Sequence, residues 1–464
     1  MLITKKDIFW NYGATFLKIA SSTLLLPFIL RMMPTEIIGI WSIFMTITAF
    51  ASLLDFGFNP SFTRNVSYIF SGVKTLRITG LETIDDKDLQ IDYGLLKGVI
   101  KSMRWFYSRI ALLLFSLLMT LGTFYIYTLL QNYKSNHQEI YVAWFLLCII
   151  NTYNLFTLYY DALLQGKGLI KRSKQIVIIG QIVYLIIAMV LILAGKGLVA
   201  IVSAQAFSVV IIRWLSYHSF FTTEIKENLN LAIARTKKEI INAIYPNAMK
   251  IGLTTLGAFL VQKSAIVIGS LYLPLRDIAS YGITMQLITL ISALSGIYIA
   301  TYFPKIAQLR VVQNNHAVKE LYLKGQVVLL LTYVAGGLGL LILGNLAITG
   351  IGSKTSLMSP AMILIALIVS FLGNNHSMAG EILLSKNEVP FFKAALMSGG
   401  ATVFLLLLFF QFSNIGLWAM ILAQGIAQGV YQNWKWPIVV IRELEITQQD
   451  AFKAFSQIIG PQPK

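Results

Sequence analysis

The chain is 464 residues long, 56% of them hydrophobic and only 12% charged, whereas a soluble domain carries about a quarter charged residues. That balance excludes a water-soluble globular fold. The net charge of +17 sits in short segments between apolar runs, with no compact basic domain and no nucleic-acid motif, so it points to a membrane surface and not to nucleic acid.

In chain order, Lys5 and Lys6 precede an apolar segment near 8–30 that is too long for a signal-peptide core and lacks a small-residue cleavage pattern. It reads as a first retained helix. Further spans are expected near 37–57, 108–130, 140–164, 175–194 and 198–220, then near 251–273, 281–303, 326–348, 361–384, 394–412 and 416–440. Ala111 to Leu130 illustrates the pattern, with about twenty mostly apolar positions and no charge, enough to cross a hydrocarbon core about 30 Å thick. The expected fold is an all-α integral membrane protein of about 12 transmembrane helices in two six-helix lobes around a central cavity.

The expected domain boundaries follow: an N-terminal lobe over 1–222, a cytoplasmic inter-lobe linker over 223–250, a C-terminal lobe over 251–440 and a cytoplasmic tail over 441–464. With the N-terminus inside, the outer loops hold only Arg31, Lys134, Lys196, Arg276 and Lys354 among basic residues, so both termini are placed in the cytoplasm. The outer connections are short. Residues 75–93 form a polar, partly acidic inner segment, read as either a surface helix or disorder. Cys148, the single cysteine, lies in an apolar run and reads as a packing residue.

A weak internal repeat links the halves. Pro34 precedes Glu36, Ile37, Ile38, Gly39, Ile40 and Trp41 as Pro274 precedes Asp277, Ile278, Ala279, Ser280, Tyr281 and Gly282. Each helix then runs on toward an inner proline, Pro60 and Pro304. Trp41, Trp144, Trp214, Trp434 and Trp436 fall near span ends, where aromatic belts are expected.

Ionisable groups in mid-span are costly and mark a pathway or a structural pair. Lys18 and Lys263 lie near the middle of the first and seventh spans. Asn11, Thr15, Lys18 and Ser22 recur at helical spacing on one face, and Gln262 adjoins Lys263, which suits an aqueous cavity whose cations hold an anionic headgroup such as a diphosphate. The alternative is a lysine paired with a buried carboxylate for structure. Carboxylates in or beside spans are few: Asp55, Asp161 and Glu381. Asn154, Thr157 and Asp161 share a face, as do Asn374, Ser377 and Glu381 with His376 beside them; these are candidates for ion coupling, or for hydrogen bonds between helices. Gln424, Gln428, Tyr431 and Lys435 give the twelfth span a polar face, read as packing glue. No Walker loop, dinucleotide fingerprint, metal-ligand Cys and His cluster or nucleophile elbow is present. A transporter without a cofactor is expected, driven by an H+ or Na+ gradient or by consumption of its substrate on the far side.

The segment from Pro34 to Ser67, with Gly39 and Trp41 followed by Asp55, Phe56, Gly57, Phe58, Asn59, Pro60 and Arg64, resembles the polysaccharide transporter family of oligosaccharide flippases. That family lies in the multidrug/oligosaccharidyl-lipid/polysaccharide exporter superfamily. The resemblance implies two lobes with a cationic cavity, alternating access, an undecaprenyl-diphosphate-linked repeat unit as substrate, and a role in O-antigen, capsule or related polysaccharide assembly in the bacterial inner membrane. It implies membrane lipids, a polysaccharide polymerase and glycosyltransferases as partners. Arg64 and Arg31 join the candidate cations, or anchor the interface. Three rival readings stand beside it. A multidrug extruder of the same superfamily would favour acidic groups in its cavity, a membrane polymerase or ligase would carry a large outer loop, and an assembly scaffold gives no reason for mid-membrane charge.

Overall fold

A computed structural model describes residues 10, 17, 21, 24–74, 91–131, 133, 137–235, 237–311, 313–386 and 390–459. Lys18, Asn11, Thr15, Ser22, Lys134 and residues 75–90 lie outside this set. Everything described that is regular is helical. Helix α1 covers residues 24–32, and α2 (Thr35–Leu53) starts after Pro34, with Glu36 in its first turn where the helix dipole favours an acid. It ends at a turn in which Phe56 and Gly57 take φ of 46° and 72°, and α3 (Phe58–Phe70) follows at once. Asp92 caps α4 (Tyr93–Leu117) by accepting from Leu95 N–H at 2.8 Å. A π-helical turn at Leu118–Gly122 joins α4 to α5 (Thr123–Leu130), beside the point where Trp144 donates its indole N–H to Thr123 at 3.0 Å.

Next come α6 (His137–Phe156), α7 (Tyr159–Gly166), α8 (Ile170–Leu193), α9 (Gly197–Phe220) and α10 (Thr223–Leu231). Then α11 (Lys237–Tyr272), α12 (Leu275–Val311) and α13 (Asn315–Gly350) run 36, 37 and 36 residues. At about 1.5 Å per residue each exceeds a hydrocarbon core about 30 Å thick by some 20 Å, so each extends into the aqueous phase. The chain closes with α14 (Pro360–Leu384), α15 (Phe392–Phe412), α16 (Leu417–Gly429), α17 (Gln432–Glu443) and α18 (Gln448–Ile459). Among the described residues, ten helices are long and apolar enough to cross a membrane. Of the twelve expected spans, the first falls largely outside the described residues and the last is divided between α16 and α17. The protein is an all-helical, multi-pass membrane protein with roughly twelve spans.

The chain forms two compact units: Met1–Met33 with Ile43–Leu256, and Pro34–Ser42 with Gly257–Lys464. Residues 223–235 and 237–250, between the expected lobes, are largely helical, forming α10 and the start of α11. In the first unit, α8 and α9 form an antiparallel hairpin whose turn uses Gly195 and Gly197 at positive φ. Ser208 of α9 donates to the Gly180 carbonyl at 2.8 Å, a contact that a bare glycine backbone permits. In the second, Ile299, Val318, Tyr322, Ile382, Trp436 and Val440 centre a core that joins α12, α13, α14 and α17. Apolar packing does not distinguish helix association from lipid contact, so close approach matters more. Gly257 and Gly399 supply it, since a Cβ on Gly257 would overlap the Ala395 carbonyl group.

The repeat is local. Both α2 and α12 begin directly after a proline, and a Cβ on Gly39 would overlap Leu275 O while one on Gly282 would overlap Ser42 Oγ. Beyond that the halves part company: Pro60 belongs to the first turn of α3, whereas Pro304 lies inside the continuous α12. The aromatic-belt expectation is corrected for three of five tryptophans. Trp41, Trp144 and Trp436 are 5%, 2% and 6% exposed and fill the protein interior, while Trp214 and Trp434 are 59% and 47% exposed. The polar face expected on the twelfth span is also corrected. Tyr431 leaves helical geometry at φ −141°, which rotates Lys435 away from the line of Gln424 and Gln428.

Candidate functional site

The chemistry in the first unit gathers where α2, α3, α4, α6, α7 and α9 meet. Asp55 lies in the turn that the Phe56 and Gly57 backbone makes possible, and its carboxylate accepts from Asn59 N–H at 3.1 Å. It also accepts from the Tyr107 hydroxyl of α4 at 2.6 Å. The amide of Asn59 donates to Leu158 O at 3.3 Å, in the break between α6 and α7. The run from Asp55 to Pro60 is therefore a structural corner: one carboxylate caps α3 and fastens it to α4, and the next amide fastens it to α7.

A second carboxylate on the same side meets a cation that the sequence reading overlooked. Arg213 of α9 is buried, with Nη1 2.9 Å from Asp161 Oδ2 on α7, and Nη2 donates to Asn154 Oδ1 on α6 at 2.7 Å. The Asp161 contact is electrostatic and off the hydrogen-bond line, and Nε has no hydrogen-bond partner among the described residues. Asn154 and Asp161, expected on one face of a single helix, lie instead on α6 and α7 either side of a break, and Arg213 joins them. The signal was a charge inside the 198–220 span. Tyr107 stacks on Tyr159, whose hydroxyl accepts from Arg104 Nε at 3.3 Å, so aromatic rings and cations line this end of the unit.

In the second unit the candidates separate. Asn374 of α14 donates to Ser292 of α12 at 2.8 Å. His376 Nδ1 lies 2.9 Å from Asn433 Oδ1 of α17, and Gln428 of α16 is buried with no hydrogen-bond partner for its Oε1 among the described residues. Glu381 is half-buried in the last turn of α14, two turns beyond Asn374, and has no ion pair among the described residues. His376 and Glu381 are not brought together by any described contact. A polar layer of amides and hydroxyls joins these helices, and the carboxylate stands apart from it.

Lys263 stands at the eleventh residue beyond Gly252 in the 21-residue apolar stretch of α11, about 15 Å from either end. It is half-buried, and no carboxylate among the described residues pairs with it. Gln262 beside it is exposed. Arg31 is exposed at the end of α1, and Arg64 is exposed at the middle of α3 and not at a helix end. A mid-membrane ammonium with neither snorkelling reach nor a counterion needs an anion or water as its partner.

No model of a protein family matches the chain, and no curated protein sequence matches it. Solved structures do. The chain is similar to an inward-facing multidrug resistance MATE family transporter of the MOP superfamily, with TM-score 0.65 and 14% identity over 94% of this chain and 96% of that one. It is similar to the lipid II flippase MurJ in an inward closed conformation, with TM-score 0.63 and 12% identity over 97% and 89%. It is likewise similar to the MATE multidrug transporter DinF-BH, with TM-score 0.60 and 13% identity over 95% and 94%. At these identities the likeness establishes the fold.

Proposed function

We propose that this protein of MATE and MurJ-like fold is a flippase that moves an undecaprenyl-diphosphate-linked oligosaccharide across the bacterial inner membrane by alternating access, for O-antigen or capsule assembly. The observation that carries the reading is Lys263. A half-buried ammonium near mid-membrane, with no carboxylate paired to it among the described residues, suits a diphosphate, whose oxygens accept charge-assisted hydrogen bonds. In the proposal Lys18 is the corresponding cation of the first half, and Arg64 and Arg31 attract the headgroup. Asn374, Gln262, Asn11, Thr15 and Ser22 supply polar contacts along the path. The flippase is placed with both termini in the cytoplasm, and it hands its product to a polymerase after receiving it from glycosyltransferases.

Glu381 favours a second reading, multidrug extrusion, because a half-buried carboxylate with no ion pair among the described residues suits an organic cation. In either reading Glu381 or His376 couples transport to an H+ or Na+ gradient. Asp55 and Asp161, already held by Tyr107 and Arg213, are weaker coupling groups.

The test is flipping of a fluorescent lipid-diphosphate oligosaccharide in proteoliposomes by wild type, Lys18→Ala, Lys263→Ala and Glu381→Gln at equal reconstitution. Loss in both lysine variants, with unchanged chromatographic and thermal behaviour, supports the headgroup site. Active lysine variants leave the flippase and remove the site. Absence of flipping of several such lipids, together with efflux of cationic dyes that Glu381→Gln abolishes, establishes the extruder instead.

A further inference from the structure

We propose that the exposed face of the α8 and α9 hairpin is a binding site for an anionic phospholipid of the bilayer, separate from the transport path. Both helices are apolar enough to span the membrane, and the end of the hairpin where α8 starts and α9 finishes is basic. Arg172 and Lys171 are exposed there, and neither forms an ion pair with a carboxylate among the described residues. Arg172 is not loose. Its Nε donates to Ser219 Oγ of α9 at 3.2 Å, which ties the guanidinium across the two helices and leaves its terminal nitrogens for another acceptor.

The helical register connects this cation to lipid-facing surface. Arg172, Ile179, Ile186 and Leu193 recur every seven residues, so they lie on one face of α8, and the three aliphatic residues are all exposed. On α9, Phe207, Val210 and Trp214 follow at spacings of three and four and are exposed too. Trp214 is 59% exposed, and its ring meets that of His218 at 4.7 Å. An indole that amphipathic side chains hold at a helix end belongs at headgroup level. One cation-bearing end and two apolar stripes below it match the two parts of a phospholipid, a phosphate and its acyl chains. With neither cation in an ion pair among the described residues, the basic end favours an anionic headgroup over a zwitterionic one.

The test uses the full-length protein, purified in detergent and offered cardiolipin, phosphatidylglycerol or phosphatidylcholine, with native mass spectrometry counting retained lipid. Each cation at a membrane surface changes affinity by about fivefold. The expected result is retention of the anionic lipids over phosphatidylcholine, a fall of more than tenfold in Lys171→Gln/Arg172→Gln, and no change in Lys305→Gln, an exposed lysine on α12. Equal retention of all three lipids, or equal losses in the two variants, overturns the site. Hydrogen exchange on the wild type gives a reading that does not depend on a variant: added cardiolipin must protect the start of α8 and the end of α9, and uniform or absent protection overturns it as well.

Discussion

At the scale of single residues, Arg213 has the clearest consequence. It is buried between Asp161 and Asn154, so truncation leaves a carboxylate without its cation inside the helix bundle. Arg213→Ala is expected to destabilise by about 3 kcal/mol, seen as a lower melting midpoint in detergent. Arg213→Lys recovers little, because one ammonium cannot reproduce two guanidinium contacts to different helices. A melting midpoint indistinguishable from wild type in both variants would disprove the pair's structural role. Outside the membrane, hydrogen bonds from Lys319 and from Thr447 hold the Asp450 carboxyl well below the ordinary carboxylate range. The folded value lies below the unfolded one, so the contribution is present above about pH 4 and is lost as pH falls further, through the folded value. Acidification should therefore widen the separation between spin labels on α13 and α18. In Asp450→Asn the wide separation should appear already at neutral pH and stay constant.

Elements meet through small residues and cation clusters, and the two respond differently to change. Gly39 leaves no space for a side chain against Leu275 O, whereas Gly296 in α12 has nothing among the described residues within 4 Å of its Cβ position. Gly39→Ala is expected to cost about 1–3 kcal/mol, because backbone must move. Gly296→Ala should be neutral or raise stability by up to about 1 kcal/mol through helix propensity. Thermal melting of the two variants separates these outcomes, and equal effects would remove close approach as the reason for Gly39. The aqueous ends of α12, α14 and α17 are clasped by Glu443, which meets Arg310 at 2.8 Å and Lys386 at 2.7 Å. Neither clasp was legible in sequence, since Arg310, Lys386 and Glu443 lie in separate loops or helix ends. The break at Tyr431 was equally hidden, because Gly429 and Pro437 weaken a helix without stating where it parts.

For the whole molecule, the distribution of basic residues predicts orientation. Replacing Cys148, the single cysteine, with alanine gives a background for new ones. A membrane-impermeant maleimide added outside intact cells should label Gln131→Cys and Ser356→Cys, both at exposed turns, and should label Gln449→Cys on α18 only after permeabilisation. The reverse pattern would invert the topology. The class of the protein is legible without coordinates: in lipid only helices and closed barrels satisfy the backbone's hydrogen bonds, and continuous apolar runs about twenty residues long fit helices and not the short alternating strands of a barrel. Asp55, Asp161, Lys263, Glu381 and His376 are legible in the same way, because charge in an apolar run is conspicuous whatever its partner. Which of these groups are occupied emerges only from the folded chain. Asp55 is held by Tyr107, 52 residues away, and Asp161 by Arg213, also 52 residues away, while Lys263 and Glu381 have no ion-pair partner among the described residues. Pairing depends on which helix faces meet, and one chain read in order carries the period of each face but not its neighbour.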